Sequence, residues 1–75
     1  MFIVAEFFSP VDAETGRAAV FRATGGHQII GRVFLIGVNQ SLAVFWSNSS
    51  NSDTFALIKE ALIQSGADWV SDHYV

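Results

Sequence analysis

The chain contains no cysteine and a single proline, Pro10. Without thiols there is no disulfide framework, no thiolate metal site and no cysteine nucleophile. The composition fits a reducing compartment, and cytoplasm is the expected location. Charge is scarce as well. Charged residues make up 15% of the sequence, and four basic residues against seven acidic ones leave a net charge of −3. That balance removes most of the counterion-release term that drives nucleic-acid binding. The acidic residues are too scattered to imitate a phosphate backbone, so no nucleic acid is an expected partner. Long apolar runs are missing too. The longest, residues 33–38 counting Gly37, falls far short of the roughly 20 residues of a spanning helix, and no membrane segment is expected. The apolar start, MFIVAEFFSP, has no basic flank, carries Glu6 and meets Pro10 early. It reads as a strand rather than a secretory signal.

What the sequence does hold is apolar and aromatic surface. Of 75 residues 51% are hydrophobic, seven of them Phe and two Trp. A chain of this size hides only about 60% of the surface its unfolded form exposes, so residues 1–75 are expected to form a single domain around one core. Each large aromatic removes roughly 150–250 Å² from water, enough to make such a core stable without staples.

Residues 2–8 (FIVAEFF), 18–24 (AAVFRAT), 28–38 (QIIGRVFLIGV) and 41–47 (SLAVFWS) are rich in β-branched and aromatic types and bounded by turn residues. This pattern predicts four strands. The turns are residues 9–16, the Gly25-Gly26-His27 loop and Asn39-Gln40, each suited to an antiparallel hairpin. The polar stretch SNSSNSD suits a loop ending in a helix N-cap at Ser52 or Asp53. From Thr54 to Ser65 the apolar period becomes 3.6: Phe55, Ile58, Ala61 and Leu62 share a stripe, and Gly66 stands where a left-handed cap belongs. The tail, with Trp69, Val70, Tyr74 and Val75, reads as a short C-terminal strand. The expected fold is α+β, a four-stranded antiparallel β-meander with one α-helix packed on one face and a short C-terminal strand (ββββαβ).

Registers follow if Thr24 opposes Gln28 and Asn39-Gln40 is a two-residue turn. One face then holds Ile3, Ala5, Phe7, Ala19, Phe21, Ala23, Ile29, Val33, Leu35, Leu42, Val44 and Trp46, without a charge, and the helix covers it. The other holds Phe2, Val4, Glu6, Val20, Arg22, Ile30, Arg32, Phe34, Ile36 and Phe45. These ten residues are the expected partner-binding set, because one helix cannot shield both faces and monomers rarely leave large apolar patches open. Glu6, Arg22 and Arg32 would form a cross-strand ladder inside the patch. The Phe2 to Phe8 strand, if an edge, offers strand addition as a second route.

Chemical motifs are weak. His27 and His73 are the only imidazoles, and they bring no set of metal ligands with them. Asp72-His73 resembles part of a triad, but neighbours on a strand point to opposite faces. Gly25-Gly26 lacks the helix start and lysine of a phosphate loop. No enzyme, cofactor or metal is therefore expected. Small cysteine-free domains without a chemical site are common among inhibitors carried by phages and other mobile elements, anti-CRISPR proteins included. By that analogy of size alone the expected role is non-enzymatic, a steric inhibitor or adaptor docked on a larger protein target. Two alternatives stand beside it: a homodimer built through the second face or an edge strand, and a small-ligand or catalytic domain using His73 and Asp72.

Overall fold

The computed structural model of the chain describes residues 2–25, 29–38, 40–47 and 52–73. Strand β1 is Phe2–Phe7, helix α1 Pro10–Thr24, strand β2 Ile29–Leu35, strand β3 Ser41–Ser47, helix α2 Ser52–Gln64 and strand β4 Trp69–His73. All strand pairs are antiparallel and the sheet order is β2-β3-β1-β4. The α+β class, the four-stranded antiparallel sheet and a helix packed on one face are as the sequence predicts.

One segment differs. Residues 18–24, expected as a strand, are the second half of α1, so the order is βαββαβ and a second helix joins the first. The reason is local. Ser9 is extended and its Oγ accepts the Asp12 amide at 3.1 Å, Pro10 opens the helix and Asp12 places a carboxylate in its first turn. At the other end Arg22 lies in the last turn and Gly25 takes the left-handed conformation, φ 73°. These caps satisfy orphan backbone groups and suit the helix dipole. Buried Ala13, Gly16 and Val20 follow the helical period. The expected meander is thereby replaced by a split βαβ plan, in which each helix crosses between strands separated by a third. The C-terminal strand lies at the edge beside β1.

Helix α2 follows its apolar period, and Ser52 and Asp53 already lie within it. Gly66, at φ 89°, closes it as expected: its amide reaches the Ile63 carbonyl at 3.1 Å and the Ala67 amide reaches Leu62 at 3.2 Å, a Schellman ending. The expected roles of His27, Asn39, Asn48 to Ser50, Tyr74 and Val75 fall outside the described residues.

Both helices lie on the same face. Ile3, Ala5 and Phe7 of β1, Ala43 and Phe45 of β3 and Ile29 of β2 form one buried cluster with Ala13 and Val20 of α1 and with Phe55, Ile58, Ala61 and Leu62 of α2. Close approach relies on glycine at two points. A Cβ on Gly16 would stand 2.7 Å from Phe7 Cζ, and one on Gly31 would stand 2.8 Å from Phe45 Cε1. Ser41, also on this face, is fully buried, and its Oγ has no hydrogen-bond partner among the described residues. A buried hydroxyl left so costs about 1–3 kcal/mol. Two substitutions of one methyl-sized group should therefore act oppositely in urea unfolding. Gly16→Ala should lower stability by about 1–3 kcal/mol through overpacking, whereas Ser41→Ala should leave it unchanged or raise it.

Candidate functional site

With both helices on one side, the other side of the sheet has no covering element among the described residues. Residues opposite each other in antiparallel strands share a face, so the registers place three rows across it. From β2 to β4 these are Ile30, Trp46, Phe2, His73; then Arg32, Val44, Val4, Ser71; then Phe34, Leu42, Glu6, Trp69. Several of the large side chains remain open to solvent: Ile30 is 55% exposed, Phe34 47%, Trp69 42% and Trp46 38%. Val44, in the middle, is nearly closed over by its neighbours.

Of the expected partner-binding residues, Phe2, Val4, Glu6, Ile30, Arg32 and Phe34 do share this open face. Four do not. Val20 is fully buried in α1, and Arg22 is exposed on the same helix, since the segment carrying them is no strand. Phe45 is fully buried beneath the helices. Ile36 lies past the end of β2, half exposed at the hairpin tip. The misplacement of Phe45 has a clear cause. Leu35, not Val38, is paired with Ser41, and the Ile36 amide bonds the Gln40 carbonyl at 3.0 Å, so the connection takes residues 36–40 instead of two. That shift is odd and reverses every side chain of β3. Leu42, Val44 and Trp46, expected under the helix, are on the open face instead. Trp69, Ser71 and His73 join them because β4 pairs with β1.

The expected ladder of Glu6, Arg22 and Arg32 does not form. Strand β3 separates β1 from β2 and the two residues stand in adjacent rows, so Glu6 and Arg32 lie about 12 Å apart, two strand spacings across and two residues along. Arg32 Nη1 makes a 3.4 Å contact with the Gly31 carbonyl. Among the described residues neither Glu6 nor Arg32 has a side-chain partner of opposite charge.

The edges are partly obstructed. Strand β1, expected as an exposed edge, is interior; the edges are β2 and β4. On β2, Arg17 of α1 donates Nε to the Gly31 carbonyl at 3.0 Å, while its guanidinium carbon sits 5.3 Å from the Phe21 ring centroid and Nη1 3.7 Å from Glu14. A helix side chain thus occupies an acceptor on the edge strand. Strand β4 is short, and its Asp72 is tied back to Lys59 of α2 at 2.9 Å. Short edges with charge and covering side chains discourage strand addition.

The pair His73 and Asp72 does not assemble. Asp72 turns toward α2 and Lys59. His73 Nε2 lies 2.9 Å from Ser71 Oγ, and its ring stacks on Phe2 at 4.8 Å. A nucleophile–base pair needs a third group to orient the base, and no carboxylate among the described residues touches this ring. Among those residues there is also no group of three or more His, Cys, Asp or Glu able to hold a metal, and no helix long and apolar enough to cross a membrane.

No family model, curated protein or solved structure matches this chain. The division between the two faces has a direct consequence for stability. Phe34→Ser on the open face should cost about 1 kcal/mol or less, whereas Phe45→Ala under the helices should cost about 3–5 kcal/mol. Chemical denaturation of the two variants measures the difference; equal losses would contradict the assignment of faces.

Proposed function

We propose that this chain is a non-enzymatic protein-binding domain whose contact surface is the open face of the sheet. The observation that carries the reading is four exposed large apolar side chains on one face of a sheet whose other side is filled: Ile30 beside Trp46 in one outer row, and Phe34 and Trp69 at the two ends of the other. Patches of large apolar side chains rimmed by polar groups are typical of protein contacts, and aromatic residues with arginine are enriched at their centres. The face carries one carboxylate, Glu6, and one guanidinium, Arg32. It is neutral with His73 uncharged, which favours another protein surface over a polyanion. Arg17 on the β2 edge supports face contact over strand addition.

A photo-crosslinking residue tests this in the cells that make the protein. Placed at Trp46 it should give an adduct of defined mass that disappears when Phe34→Asp is added. Placed at Leu57, exposed on α2, it should give none. An adduct at Leu57 without one at Trp46, or none at either position, would overturn the reading.

A further inference from the structure

We infer that the open face docks on a second copy of this chain, related by a two-fold axis lying in the plane of the face. The inference rests on the docking reading above and names the occupant. Its starting point is the pair of charges left apart by the strand order. Glu6 on β1 is half-buried among Val4, Leu42 and Trp69, and Arg32 stands on β2 with β3 between them. Neither finds an opposite charge within the described chain. A partner that satisfies both must present a guanidinium where this face has its carboxylate and a carboxylate where it has its guanidinium. This face, turned over about an in-plane two-fold axis, does so. One operation places Arg32 of each copy on Glu6 of the other, and a contact of this kind repeats itself and closes at two chains.

The axis that exchanges these positions crosses β3 between Val44 and Leu42, the middle of the patch. It lies oblique to the strands, so the two sheets pack with their strands crossed, one of the known modes of sheet-on-sheet packing. The apolar side chains then come together around the reciprocal ion pairs. Size agrees. Four strands about 4.8 Å apart and about 20 Å long give a footprint of roughly 400 Å². Corrugated by side chains, this exposes roughly 600–800 Å², close to the about 800 Å² per partner of a stable protein interface.

The test is a charge exchange read by sedimentation equilibrium, with circular dichroism confirming that each variant is folded. The native chain should sediment at twice its 8.2 kDa mass. Glu6→Arg sets two guanidinium pairs face to face and Arg32→Glu sets two carboxylate pairs, and each should weaken the dimer at least about tenfold. The double variant Glu6→Arg, Arg32→Glu should restore it. A dimer indifferent to both single exchanges, or one not restored by the double exchange, overturns the proposed pairing. A chain that stays monomeric at high concentration overturns self-association. In that case a Trp46 adduct with a different protein would leave the docking reading standing, and its absence would remove both.

Discussion

Phe7 of β1 and Phe45 of β3, both fully buried, flank the small middle row of Ala5 and Ala43 on the covered face, and the whole arrangement depends on the two helices closing over them together. Gly16 lets α1 settle directly on the Phe7 ring, and Gly31 leaves room for Phe45 beside Phe21. Ile58 and Leu62 of α2 complete the same cluster, along with Val20 of α1. Burial of this kind supplies most of the driving force available to a small domain, at about 25 cal/mol per Å² of apolar area. Both helices of the described residues are committed to one side, and none of these residues forms a helix on the other. The open face is therefore the geometric counterpart of the core.

What distinguishes that face from ordinary apolar surface is its organisation. The registers align aromatic and aliphatic side chains in rows, with Val44 nearly closed over in the middle and one charge of each sign held apart by an intervening strand. The edges are treated differently. Arg17 reaches from α1 to the β2 backbone, and Lys59 ties the short β4 to α2. One backbone acceptor of the β2 edge, the Gly31 carbonyl, is occupied, while side chains that would pack against another surface are left accessible. This contrast argues for docking through side chains, with register and partner choice set by Glu6 and Arg32.

Much of this was legible in the residues, and where it was not, competing signals explain why. The alternation of β1 and the 3.6-residue stripe of α2 are unopposed by other patterns, and Gly66 marks its helix end plainly. The segment AAVFRAT is different: alternating apolar side chains with Val and Phe suggest a strand, and only the Ser9-Pro10-Val11-Asp12 start, one helical length before Gly25, reveals a helix. Long-range packing of Val20 and Gly16 against the sheet decides between these readings. In β3 the strand itself was legible but its facing was not. Asn39-Gln40 is a plausible two-residue turn, and nothing local shows that residues 36–40 form the connection. A displacement of three pairing positions exchanged Phe45 for Trp46 on the open face. Six of the ten expected contact residues, on β1 and β2, nonetheless share it, because those strands were read with the right parity.

Trp46 and Trp69 are the chain's two tryptophans, and both lie on the open face. Acrylamide quenching of tryptophan emission therefore reads the state of that face without any substitution. Diluted until sedimentation shows a single chain, the protein is predicted to give red-shifted emission that is readily quenched. Emission that is blue-shifted and resistant to quenching in a chain shown to be monomeric would contradict it, since the face would then be covered from within.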